Sequence, residues 1–341
     1  MYSFKCDYGE GAHPRILRAL YDTNMEQTEG YGLDIYCLMA KDVLKEVIGR
    51  SDVDIHFIPG GTQTNIIAIS AFLRPHEAVV SAVTGHIEVH ETGAVESTGH
   101  KIIGVSTGDG KLRPDDIITV LDIHTDEHMV KPRLVYISDT TELGTVYSKK
   151  ELEALSSFCR ENALLLYLDG ARLGSALCCS DLSLMDVAEL TDAFYIGGTK
   201  NGALFGEALV VCSDALKADM RFLIKQKGAL LAKGRIMGLQ FLELFRDGLF
   251  FELARHANSM ADILRKAITQ TGFSFLTDSA SNQIFPILPD KLAERLMEYY
   301  QFYIWSKTDS DNSSVRLVTS WATRREDAEA FAEKLKELCI G

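Results

Sequence analysis

No Cys-x-x-Cys pair occurs in these 341 residues, and the seven cysteines (Cys6, Cys37, Cys159, Cys178, Cys179, Cys212 and Cys339) are scattered. Their odd number and mostly apolar settings argue against a disulfide frame or a zinc ribbon, and for reduced thiols. The N-terminal MYSFKCDYGEG carries no apolar signal core, and no run of eighteen apolar residues exists to span a bilayer. A cytoplasmic location is therefore expected. Excess positive charge is also missing. The net charge is −13, which repels nucleic acid and anionic membrane and leaves a small-molecule substrate as the expected partner. Neither GxxxxGK nor GxGxxG is present, so the P-loop and dinucleotide fingerprints are excluded. The segment His86-Ile-Glu-Val-His90-Glu91 lacks the H-E-x-x-H order of a metalloprotease, and no metal site is expected.

What is present is an ordinary globular balance, 46% hydrophobic and 24% charged. Through roughly the first 240 residues, short apolar runs alternate with segments of helical period. DVDIHFI, EAVVSAV, KIIGVST, LVYIS, LLLYLD, AFYIGG and EALVVCS read as strands, while TNIIAISAFL and KKELEALSSFCRENA read as helices. This alternation predicts crossover units, an α/β fold with a mostly parallel sheet, and helices on both faces. KGRIMGLQFLELFRDGLFFELARHANSMADILRKAITQTG reads as two helices. The remainder, from FSFLTDS through NQIFPILP, FYIWSK and VRLVTSW, alternates again. The expected division is a large domain over 1–250 and a small α+β domain over 251–341.

Ligands of open α/β sheets bind beyond the carboxyl ends of the strands, and several chemically suggestive residues fall there. Asp169 ends LLLYLD and Lys200 follows AFYIGG. An anion against a pyridine nitrogen and an amine holding an aldehyde as a Schiff base are what pyridoxal 5′-phosphate requires. A buried salt bridge flanked by turn glycines would give the same pattern. Gly60-Gly61-Thr62 precedes a helix whose free N–H groups and dipole suit a phosphate, although a plain N-cap reads alike. His86, in Thr84-Gly85-His86, is placed to stack on a ring or to move a proton, or simply to cap a helix. Arg172, three residues after Asp169, could contact the cofactor's phenolic oxygen or a substrate carboxylate through its planar fork, or be a surface helix residue. Arg316 is the one basic residue on an apolar strand, where it could hold an α-carboxylate or form a structural ion pair. Lys225, Lys227 and Lys233 form a basic stretch that fits either a solvated face or anion contacts at a neighbouring subunit.

Together these residues resemble the threonine aldolase group of the aldolase/β-eliminating lyase family, within the fold type I pyridoxal-phosphate enzymes. The resemblance runs over nearly the whole chain and is carried by GGTQTN, GHIEVHETGA, YLDGARLG and GGTKNG. It implies phosphate contacts at Gly61 and Thr62, His86 over the ring, Glu91 near a catalytic water and Asp169 at the pyridine nitrogen. It also implies Arg172 and Arg316 at the substrate carboxylate, Lys200 as the Schiff-base lysine, and a homodimer or homotetramer in which Tyr31 helps complete a neighbouring site. The implied reaction is cleavage of a β-hydroxy-α-amino acid to glycine and an aldehyde, with His86, Glu91 or a water between them as base. β-Elimination and transamination are the alternatives. Three departures stand out. Lys5-Cys6-Asp7 replaces Arg-Ser-Asp, putting Cys6 where a serine would meet the carboxylate. Thr141-Glu142-Leu143 replaces Thr-His-Asn, putting Glu142 where a histidine would meet the substrate hydroxyl. GALLAKGR stands where the family carries Gly-Gly-Gly-Met-Arg.

Overall fold

The computed structural model describes residues 1–340. After a short β1 (Tyr2–Ser3), seven strands build the central sheet: β2 (Asp54–Ile58), β3 (Glu77–Ala82), β4 (Ile102–Val105), β5 (Lys131–Ser138), β6 (Leu165–Asp169), β7 (Ala193–Gly197) and β8 (Glu207–Val211). Their order is β2-β8-β7-β6-β5-β3-β4. All neighbours from β7 to β4 are parallel, and β8 runs antiparallel to both β7 and β2. The connection over 198–206 is too short for a crossover, so β8 must return beside β7 as a hairpin.

Every residue of β6, β7 and β8 is buried, because helices cover both faces of the sheet. Alternate side chains enter opposite cores: Leu166, Leu168, Phe194 and Ile196 on one face, Leu165, Tyr167, Ala193 and Tyr195 on the other. On the first face, helices Ile35–Ile48 and Arg235–Phe245 approach closely at Gly238, where an added Cβ would lie 2.5 Å from Cys37 Sγ. Helix Gly61–Phe72 packs on the second face.

Helix Leu249–Gln270 passes from the first core, through Leu249, Phe250 and Leu253, into a third that holds Met260, Leu264 and Ile268. That third core is completed by β9 (Gln283–Ile284), β10 (Ile287–Pro289), β11 (Tyr300–Gln301), β12 (Tyr303–Lys307) and β13 (Asn312–Val318) with helices Asp290–Met297 and Arg325–Ile340. β13 lies antiparallel between β10 and β12, and β9 extends its far end. The N-terminus joins this unit: β1 pairs in parallel with β11, and Phe4 packs on Phe331 and Tyr300. FSFLTDS, expected as an element of the alternating series, forms only a bridge between Phe275 and Pro286. Thr277 and Ser279 spend their hydroxyls on the carbonyls of Leu143 and Gly144, docking the segment as a loop. No described helix is long and apolar enough to cross a membrane.

Candidate active site

Five loops leave the carboxyl ends of β2, β3, β5, β6 and β7 on one edge of the sheet. They meet in a cleft of about 480 Å³, to which Tyr8 of the N-terminal segment and Gln283, Trp305 and Arg316 of the C-terminal unit contribute. At the same edge of the sheet, Asp169 closes β6 and is 3% exposed. Its Oδ2 accepts from Tyr136 Oη at 2.7 Å and Asn65 Nδ2 at 3.0 Å, while Oδ1 accepts from Ala171 N at 3.0 Å. Burial pushes the carboxyl up, but the charge of His86 and hydrogen bonds from Tyr195, Tyr136 and Asn65 outweigh it. The carboxylate therefore stays below its usual range and ionised.

Lys200 follows β7 on the neighbouring strand end. The turn before it is drawn tight by close backbone approach: a Cβ on Gly170 would lie 1.9 Å from the Tyr195 carbonyl oxygen, and one on Gly197 2.4 Å from that of Ala171. Burial, then the nearby Arg172 charge, lowers the Lys200 pKa and favours the free amine. Glu207 opens β8 and ties the same turn, accepting from Gly198 N at 2.9 Å and Thr199 Oγ1 at 2.7 Å. Burial pushes its carboxyl up to about 8.

Helix Gly61–Phe72 points its N-terminus at the cleft, and no side chain caps its first turn. Gly60, Gly61 and Thr62 line the cleft there, and a Cβ on Gly61 would come within 3.1 Å of Tyr195 Oη. His86, the first residue of a four-residue helix after β3, holds Glu91 Oε1 at 2.8 Å through Nδ1. Burial alone would lower the imidazole pKa, yet the Glu91 bond and the Asp169 charge raise it overall.

Arg316 donates through Nε and Nη2 to Gln283 Oε1, at 3.1 and 2.5 Å, and lies 5.7 Å from the Trp305 ring centroid. Among the described residues no carboxylate forms a salt bridge with it, and burial followed by Arg172 depresses it to about 10. Such a cation, half-enclosed and facing a cleft, calls for an anion from outside.

Residues 11–338 match the model of the Beta-eliminating lyase family. The chain belongs to this family. Among curated relatives, it is 31% identical to the low specificity L-threonine aldolase of Pseudomonas aeruginosa, over 98% of this chain and 96% of that protein. The low specificity L-threonine aldolase of Saccharomyces cerevisiae is 25% identical, over 79% and 71%. The solved Leishmania major threonine aldolase superposes with a TM-score of 0.98 at 50% identity, covering 99% of this chain and all of that one. Histidinol-phosphate aminotransferase of Clostridium acetobutylicum shares only the fold, with a TM-score of 0.76 at 14% identity. The resemblance read from the motifs and the fold type I α/β architecture are both borne out.

Within this family member, Lys200, His86, Gly61, Thr62, Arg172, Arg316 and Glu142 converge on the cleft, with Asp169 at the same edge of the sheet. Four of the named residues lie outside this lining or make further contacts. Glu91 does not line the cleft; its enclosed carboxylate holds His86 Nδ1 and takes a 2.8 Å bond from Asn65 Nδ2. Arg172 lines the cleft while its Nε and Nη2 hold Asp7 at 2.6 and 3.0 Å. Cys6 is absent from the lining, whereas Tyr8 is part of it and Asp7 holds Arg172. Tyr31 lies away from this cleft, 43% exposed, with the Lys225 ammonium 4.5 Å above its ring. Sequence reasoning missed Asn65, Tyr136, Asp7, Gln283, Trp305 and Glu207. Only Asn65 left a signal, as a polar residue on the apolar face of TNIIAISAF.

Proposed function

We propose that this chain is a pyridoxal 5′-phosphate-dependent lyase that cleaves a β-hydroxy-α-amino acid, threonine or a relative of it, to glycine and an aldehyde. The observation that carries the reading is the pairing of an ionised Asp169 with a deprotonation-prone Lys200 on adjacent parallel strand ends. The names borne by the Pseudomonas and Leishmania relatives support the aldolase reaction over other uses of the same fold.

The residues present fit the cofactor. The uncapped first turn at Gly61 and Thr62 offers N–H groups and a positive dipole end to a phosphate. Asp169, with three donors holding it, would keep a pyridine nitrogen protonated. His86, oriented by Glu91, would cover one ring face, and the amine of Lys200 would hold the aldehyde. Bound there, pyridoxal phosphate supplies an electron sink for the substrate's α-carbon. The chain's own residues do the rest. Arg316 grips the α-carboxylate in place of Gln283 and thereby fixes the orientation of the Cα–Cβ bond. Asp7 neutralises Arg172, which preserves a charged but ordered wall beside Lys200. Trp305 and Tyr8 shield the mouth from water.

Exposed apolar side chains at Leu17, Tyr21, Met25, Leu33, Ile35 and Leu38 support assembly into a homodimer or homotetramer, with Tyr31 serving a neighbouring copy. Seven free cysteines suit a reducing cytoplasm. The test is a product assay on the purified, cofactor-loaded protein with threonine, phenylserine, cysteine and tyrosine. Glycine plus aldehyde is expected. A keto acid released with ammonia would assign β-elimination instead, and a keto acid without ammonia would assign transamination.

A further inference from the structure

Five acids approach the cleft, and four are already committed. Asp169 accepts from Tyr136, Asn65 and Ala171 N. Asp7 gives both oxygens to Arg172. Glu207 gives one oxygen to Gly198 N and the other to Thr199. Glu91 is enclosed: Oε1 serves Asn65 and His86, and the partnerless Oε2 is sealed from solvent. Glu142 differs. It lines the cleft, its Oε1 accepts from Ser138 Oγ at 2.9 Å and from the backbone N–H of His86 at 3.0 Å, and its Oε2 takes no donor among the described residues.

We propose that Glu142 Oε2, not the His86–Glu91 pair, accepts the proton of the substrate's β-hydroxyl; this rests on the retro-aldol reading above. Ser138 at the end of β5 and the His86 amide at the start of the short helix after β3 anchor one oxygen from two different elements, which leaves the other aimed by a fixed carboxyl plane. Burial, then the charge of Asp169, raises the Glu142 pKa and makes its carboxylate a stronger base. His86, whose pKa is raised by the Glu91 bond, tends to hold its own proton and is the poorer acceptor.

The balance is complete. The O–H bond breaks and its proton passes to Oε2, while the electron pair left on oxygen becomes the second bond of the aldehyde carbonyl as Cα–Cβ breaks. The α-carbon keeps the Cα–Cβ pair, for which a bound cofactor would be the sink, and takes a proton from solvent to become glycine. Glu142 returns its proton to solvent.

The experiment compares cofactor-loaded wild type, Glu142→Gln and Glu142→Asp in two reactions. One is phenylserine cleavage, read as benzaldehyde; the other is exchange of glycine's α-proton in D₂O, read by NMR, which involves no hydroxyl. Glu142→Gln should lose roughly 10²- to 10⁴-fold in cleavage kcat, the range for a positioned base, while exchange changes less than about threefold. Glu142→Asp, which keeps a carboxylate, should recover part of the cleavage; if the Gln protein does not fold, the Asp variant must show the same split in milder form. Cleavage within about tenfold of wild type in Glu142→Gln, below what a base contributes, overturns the assignment. Equal losses in both reactions overturn it too, because they mark a merely structural role. Wild type that exchanges glycine but cleaves no β-hydroxy amino acid would instead remove the aldolase reading beneath it.

Discussion

Asp7→Asn would separate Arg172 from its counter-ion while keeping the side chain's shape. Asp7 and Arg172 have side-chain exposures of 1% and 11%, joined by bonds of 2.6 and 3.0 Å, and Asn282 Nδ2 adds a third at 2.9 Å. Burial on its own raises the Asp7 carboxyl, but Arg172, Lys200 and Asn282 together bring it from 3.8 to about 2. At 1.36 kcal/mol per pKa unit, this displacement is worth about 2 kcal/mol of native-state stability. The folded value lies below the unfolded one. The contribution is therefore complete above about pH 4 and is lost as pH falls toward about 2. The variant removes it at neutral pH and also strands a buried guanidinium, which takes the total loss to roughly 3–5 kcal/mol. Urea unfolding at pH 7 measures the loss. Combined with Arg172→Gln, the double variant should be less damaged than the two single losses added, by roughly 1–3 kcal/mol of coupling. A loss below about 0.5 kcal/mol, the level of an ordinary surface change, or strict additivity refutes the reasoning.

Other consequences follow from single features. Arg316→Leu removes a charge-assisted carboxylate contact worth roughly 1.5–3 kcal/mol, so the glycine Kd should rise about 10- to 100-fold; unchanged affinity contradicts the assignment. Gly170→Ala places a Cβ 1.9 Å from a backbone oxygen that cannot rotate away, and the soluble yield and melting temperature should fall sharply. Wild-type stability in that variant would show that the approach of β6 and β7 ends has been misjudged. Asp139 is fully buried with Oδ2 unpartnered, and burial raises it to about 8. A carboxyl raised in this way stabilises the fold below its unfolded value and loses that contribution as pH climbs through its folded one. Asp139→Asn should therefore gain on wild type in urea midpoint between pH 5 and pH 8; a gap that does not widen refutes this.

How much of this was legible beforehand depended on whether a residue's meaning was local. Asp169 and Lys200 end apolar runs buried on both faces, and such runs announce strands whose carboxyl ends gather ligands. Gly61 and Thr62 precede a helix recognisable from its own period. Asp7 acts through Arg172, 165 residues on, Gln283 reaches Thr140, 143 residues back, and Trp305 enters the cleft from the C-terminal unit; no local pattern encodes such pairings. Glu91 is close to His86 in sequence, but its setting was not legible. The short helix Ile87 belongs to turns it behind the imidazole, where Asn65 awaits. Phe4 was equally opaque, since its place in the C-terminal core depends on the β1–β11 pairing.

The most direct test of the central claim is chemical. The protein, incubated with pyridoxal 5′-phosphate and reduced with borohydride, is digested and its peptides weighed, with Lys200→Ala treated in parallel. The account predicts one stoichiometric phosphopyridoxyl group on Lys200 and none fixed in the variant. A label spread over surface lysines, or equal labelling of the variant, would contradict it.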